Sequence, residues 1–184
     1  MKRNLMAAIA AATLLAIPAS ANTLTYNLSA SVGSACGVYN AAGTTIPVAF
    51  GDLSTTLTTT TLNVGAGSAS YRCNSTAGFT RQITSANAGK LVRTGSTGDA
   101  NNSIAFTMAH GGGSGLGFAA TSLATALSTP FTASAAFLTG QTGGVSFQIN
   151  GVATPDNSGI NGAPGTTVFA GDYTDVVTIA VTAN

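Results

Sequence analysis

Few side chains in this chain can do chemistry, and their types narrow what that chemistry is. Two cysteines, Cys36 and Cys73, stand with one histidine, His110, and five aspartates, Asp52, Asp99, Asp156, Asp172 and Asp175; glutamate is absent. Two thiols can form a disulfide, join further ligands around a soft metal, or stay buried and free. Two cysteines and one distant histidine do not make a tetrahedral metal set. An oxidising compartment favours the disulfide, and the chain carries marks of export. A bridge across this loop contributes about 3–4 kcal/mol in the loop-closure model. Catalysis is poorly provided for, because it needs a nucleophile beside a positioned base or paired titratable groups. There is no Gly-x-Ser-x-Gly elbow in a strand-to-helix setting. His110 borders a glycine run and reads as part of a solvated turn. Gly111–Gly117 lacks the lysine and following helix of a phosphate loop and reads as flexible loop. Asp172 and Asp175 flank Tyr173 at a strand start, where turn and cap hydrogen bonds are their ordinary role and a calcium site would need more carboxylates. No enzyme, metal or cofactor is expected.

The chemistry on offer is therefore structural, and the elements around it matter more. Residues 1–21 have the form of a secretory signal. Lys2 and Arg3 are its positive start, Leu5 to Pro18 its apolar run, and Ala19, Ser20 and Ala21 its small-residue cleavage site, so processing before Asn22 is expected. The apolar run is too short for a membrane span, and no direct membrane insertion is expected. Beyond it, four basic residues (Arg72, Arg81, Lys90, Arg93) face the five aspartates, a formal charge of −1. No basic cluster exists for nucleic acid. Charged residues make up only 6% of the chain, the reverse of a disordered tract. So neutral a surface tolerates close packing against copies of itself.

After the signal no stretch longer than a turn has helical periodicity. Thr, Val and aromatic residues alternate with Gly, Asn and Pro punctuation, the pattern of short antiparallel strands in one all-β domain. Strands are expected at Leu24–Val32, Thr45–Phe50, Ser68–Cys73, Phe79–Ser85, Lys90–Thr94, Ser103–Ala109, Ala135–Leu138, Gly144–Val152 and Tyr173–Thr182. Gly111–Pro130 reads as loop with weak strand content, and Pro155–Gly165 as a second long loop.

Both ends of the processed chain have clean period-two patterns. Leu24, Tyr26, Leu28, Ala30 and Val32 alternate with Thr23, Thr25, Asn27, Ser29 and Ser31, which places every apolar group on one face. Tyr173, Val177, Ile179 and Val181 share one parity near the C-terminus, with Thr174, Thr178 and Thr182 on the other, where Val176 and Ala180 also fall. Burying Leu24, Tyr26, Leu28 and Val32 would contribute roughly 6–12 kcal/mol before ordering costs. That is comparable to the stability of a whole domain, about 5–15 kcal/mol.

An ordered set of short motifs accompanies these ends. Ser34-Ala35-Cys36 follows the first strand, then Phe50-Gly51-Asp52-Leu53, then Ala69-Ser70-Tyr71-Arg72-Cys73. Ile104–Met108 lies mid-chain, and Gly171-Asp172-Tyr173-Thr174-Asp175 opens the last strand. In this order the chain after the signal resembles the spore coat protein U domain family, the fold of archaic chaperone–usher pilins. The resemblance implies an incomplete immunoglobulin-like β-sandwich at 33–184, completed by a donor strand, with 22–32 serving as the donor segment for the next subunit. It also implies partners: copies of itself or sister pilins, a periplasmic chaperone that docks on the C-terminal strand, and an outer-membrane usher. The destination would be the cell surface, as a fibre for adhesion or biofilm formation. One departure is the His110–Gly115 stretch, where family members often carry a charged turn. Two other readings stand beside this one: a self-contained secreted β-sandwich binding module, such as a tip adhesin or carbohydrate-binding domain, and a coat or matrix protein that packs in layers.

Export is directly testable. N-terminal sequencing of the secreted chain should begin at Asn22, and recovery of a product still carrying Lys2 and Arg3 would contradict the signal assignment.

Overall fold

A computed structural model describes residues 24–155 and 165–184. The signal segment, Asn22, Thr23 and the 156–164 part of the second long loop lie outside the described residues. The chain divides into two units, Met1–Val32 and Gly33–Asn184.

In the first unit, 24–32 carries no strand assignment, although its alternation predicted one. A strand is defined by its ladder, and these residues have no ladder partner. Leu24, Tyr26, Leu28 and Val32 are 74, 74, 94 and 87% exposed, and Ala30 is exposed as well.

The second unit is all-β apart from short turns of helix. Its elements are β1 (Cys36–Tyr39), β2 (Thr61–Cys73), β3 (Phe79–Ser85), β4 (Lys90–Arg93), β5 (Ser103–His110), β6 (Phe118–Ser122), β7 (Leu127–Phe131), α1 (Ala135–Thr139), β8 (Gln141–Asn150), β9 (Tyr173–Thr174) and β10 (Val177–Ala183). They form two antiparallel sheets. The larger runs β1-β2-β8-β5-β4-β9, with β6 also paired to β5; the smaller runs β10-β3-β7. One apolar core takes side chains from both, with Tyr71, Phe79, Ile83, Met108, Leu116 and Leu123 fully buried.

Several elements differ from expectation, each for a local reason. β2 is 13 residues long, where only its second half was expected. Leu62, Val64 and Ala66 turn inward before the register shift between Gly65 and Ser68; Ala69, Tyr71 and Cys73 turn inward after it. A bulge at Gly67, whose φ is 76°, supplies the parity change. That break hides the strand from any period-two reading. Ala135–Leu138 is helical, because Ser134 caps it by accepting from the Ala136 amide (3.2 Å) and Gly140 ends it at φ 105°. The turn drives Phe137 against Phe79 and Phe131, with ring centroids 4.9 and 5.7 Å apart.

Within the expected Gly111–Pro130 loop stand β6 and β7. The glycine run before β6 is no free loop either: it folds back so that Leu116 is fully buried. The single strand expected at Tyr173–Thr182 is two. β9 pairs with β4 in the larger sheet and β10 with β3 in the smaller. Asp175 pins the crossing, its carboxylate accepting from Ser85 Oγ (2.5 Å) and the Asn87 amide (2.9 Å). Asp175 thus makes the turn hydrogen bonds that its position suggested.

Cys36 and Cys73 are bonded to each other, 37 residues apart in sequence and directly opposite in the β1–β2 ladder. β1 has only four residues, and the bridge ties it covalently to β2 beside its ladder. Replacing both cysteines with alanine should lower unfolding stability by about 3–4 kcal/mol in a urea titration. A loss under about 1 kcal/mol would show that the ladder alone suffices.

Candidate binding groove

A cavity of about 560 Å³ opens between the sheets of the second unit. Its floor is apolar: Ala66 and Ala69 from β2, Phe106 and Met108 from β5, Val145 and Phe147 from β8. One rim is β10, through Val177 and Ile179; the other is β1, through Val38 and Tyr39, together with Ile46, Val48 and Phe50 of the following segment. Asp175 is the one ionisable carboxylate in the lining, and it is already bonded to Ser85 and Asn87.

Two hydrogen bonds fix where the β10 backbone points. The Ala86 amide donates to Val176 O (2.9 Å) and the Asn184 amide to Gly78 O (3.1 Å), at opposite ends of the β10–β3 ladder. Bonded and non-bonded pairs alternate in an antiparallel ladder, so even-numbered residues of β10 face β3. The N–H and C=O groups of Val177, Ile179 and Val181 therefore point away from β3, along an edge that no described strand pairs. Their side chains are half-buried, Val177 and Ile179 lining the cavity and Val181 packing on the core. β1 passes beside β10 without joining it. The result is an apolar trough with an unpaired backbone edge, a geometry that accepts an extended strand.

Of the residues singled out in the sequence, Val177 and Ile179 meet in this groove and Val181 supports it. Tyr173 does not belong there. It sits in β9, its hydroxyl donating to Phe169 O (2.6 Å), and burial raises its pKa above the usual phenol value. Leu24, Tyr26, Leu28, Ala30 and Val32 belong to the first unit. The sequence reading missed the Val38–Tyr39 rim, because Cys36–Tyr39 is too short to show a period.

His110 is not in a solvated turn. It ends β5 at 2% exposure, inside a polar cluster in the core. Its Nδ1 lies 2.5 Å from Gly111 O and its Nε2 2.9 Å from the Tyr71 hydroxyl. A carbonyl only accepts, so Nδ1 carries the proton and Nε2 accepts from Tyr71. Arg81, at 3% exposure, donates from Nη1 to Leu116 O (2.9 Å). Its guanidinium carbon stands 5.8, 5.3 and 5.2 Å from the ring centroids of Tyr71, Phe118 and Phe131. The backbone approaches so closely here that a Cβ on Gly143 would collide with Gly111 O and the His110 ring. Burial pushes the Tyr71 phenol up. Burial also pushes the His110 imidazole down; the Gly111 hydrogen bond opposes that shift and the Arg81 charge adds to it. All three side chains are buried.

Compared with known families, curated proteins and solved structures, the chain has no significant match in any of the three.

The cluster sets an acid limit on stability. With the His110 pKa below its ordinary value of about 6.5, the unfolded chain binds more protons than the folded one as pH falls through that value, so stability declines on acidification. Urea midpoints should fall from pH 7.5 to pH 5.5. His110→Gln, which retains an acceptor for Tyr71, should remove most of that decline. An equal decline in the variant would assign it to the aspartates instead.

Proposed function

We propose that this chain is a structural subunit of a chaperone–usher-type surface fibre, assembled by donor-strand complementation. In this reading 33–184 is an immunoglobulin-like sandwich one strand short. Asn22–Val32 of one copy fills the trough between β1 and β10 of the next. A periplasmic chaperone covers the trough beforehand, an outer-membrane usher exports the product, and the fibre serves adhesion or biofilm formation.

The observation that carries this reading is the open edge of β10 beside an apolar cavity. The backbone groups of Val177, Ile179 and Val181 have no described strand to pair with, and an incoming strand supplies partners for them. The cavity needs apolar side chains at every second position. A segment with that alternation, no charge and exposed apolar groups stands in the same chain, at Leu24–Val32. The disulfide adds support, since it fits the oxidising compartment that the route requires.

Deleting Asn22–Val32 while keeping the signal should give an exported subunit that forms no fibres by electron microscopy, although it still accepts the strand of an intact copy. Fibres built from the truncated subunit alone would refute the proposal.

A further inference from the structure

The outer face of the larger sheet, away from the core, carries a surface of its own near β1. No strand is assigned at Thr45–Phe50, where one was expected, and β1 stands at the edge of that sheet. Cys36 and Val38 pack on the core, so Gly37 and Tyr39 take the outer face with their ladder partners Arg72 and Ser70. Ser70 pairs in turn with Thr142 of β8, and their hydroxyl oxygens are 2.6 Å apart. Tyr39 borders the groove as the last residue of β1, but its ring lies back across Gly37. A Cβ on Gly37 would stand 3.1 Å from the Tyr39 hydroxyl oxygen and 3.3 Å from Cζ. Arg72 lies across Gly140 in the same manner, its Nε 3.1 Å from where a Cβ would be. Two glycines thus leave room for two flat side chains beside a pair of hydroxyls. The phenol is 54% exposed, and Arg72 is exposed as well.

We propose that Tyr39, Ser70, Arg72 and Thr142 form a platform for an acidic polysaccharide, a polymer of sugars bearing carboxylates. A sugar ring has an apolar face of C–H groups and a rim of hydroxyls. The face matches the exposed aromatic ring, and the rim matches Ser70 and Thr142. Charge selects the class of sugar. β1, β2 and β8 together hold one charged residue, Arg72, so this face is positive at one point and has no carboxylate of its own strands to compete. A guanidinium takes a carboxylate through two parallel N–H···O bonds. Nucleic acid would need a cluster of such charges.

The inference does not rest on the donor-strand reading, because these side chains lie on the face opposite the core and stay open whether or not the groove takes a strand. A single exposed contact of this kind is weak. A polymer offers the same sugar many times over, and an assembly of copies would offer the same platform many times over. Repetition on both sides converts weak contacts into firm attachment.

Affinity electrophoresis of the full secreted chain tests this, with polygalacturonate in one gel, neutral dextran in a second and no polymer in a third. Polygalacturonate should retard the chain and dextran should not, and the retardation should weaken as salt is raised. Arg72→Gln and Tyr39→Ala should each weaken binding about threefold to tenfold, whereas Tyr39→Phe, which keeps the ring, should stay within about twofold. Lys90→Gln removes an exposed cation from β4 of the same sheet and should also leave binding within about twofold. Urea midpoints of the variants separate loss of binding from loss of fold. No retardation by polygalacturonate, an equal loss in Lys90→Gln, or retardation by dextran to the same degree would each overturn the proposal.

Discussion

The structure turns on one backbone edge. β10 shares a ladder with β3 on one side and with no described strand on the other, while Val177 and Ile179 pack on the core and also line a cavity. Backbone polar groups beside an apolar cavity must find partners or stay wet. The surrounding elements frame that edge. The disulfide holds the short β1 as a rim, Asp175 sends the chain from the larger sheet into the smaller, and the bulge at Gly67 keeps both halves of β2 facing inward as the floor.

Where side chains alternate and the backbone stays regular, the sequence was legible. β3, β4 and β5 fall within a residue or so of their expected positions, because each is short and bounded by turn residues. Legibility failed where the backbone breaks its period. Gly67 shifts the parity of β2; Asp175 divides one apparent strand between two sheets; Ser134 and Gly140 close a helical turn around a run that reads equally well as strand. His110 was misread because its neighbours are glycines. Those glycines are themselves exposed, while the ring beside them turns inward and Gly143 packs against it. Half of the groove was visible, as alternation in Val177 and Ile179 and as an expected strand at Thr45–Phe50. That these meet across one trough depends on sheet order, which periodicity does not carry.

The buried cluster and the groove lie on the same scaffold but ask different things of it. Tyr71, His110 and Arg81 are polar groups in the core, held by hydrogen bonds to each other or to Gly111 O and Leu116 O, while Arg81 Nε has no hydrogen-bond partner and the guanidinium relies on the aromatic faces around it. Such a network favours one arrangement of β2, β3, β5 and the glycine-rich turn, since slippage of any of them strands a polar group. Rigidity there is compatible with openness at the other end of the core. The cavity floor is apolar, and apolar surface can be wet or covered without breaking a hydrogen-bond network.

That separation bears on how such a chain avoids self-association before its time. An unpaired edge next to an apolar trough is an aggregation hazard, and this chain has few charges with which to repel its own copies. Pro47 blunts one edge of the rim, and β10 has no equivalent device: no proline or charged side chain lies within Val177–Ala183. Under the proposed assembly a bound strand covers that edge at every stage, first a chaperone's and then a neighbour's. The features that make the edge a liability for a free monomer are then those that let successive copies join through one repeated contact.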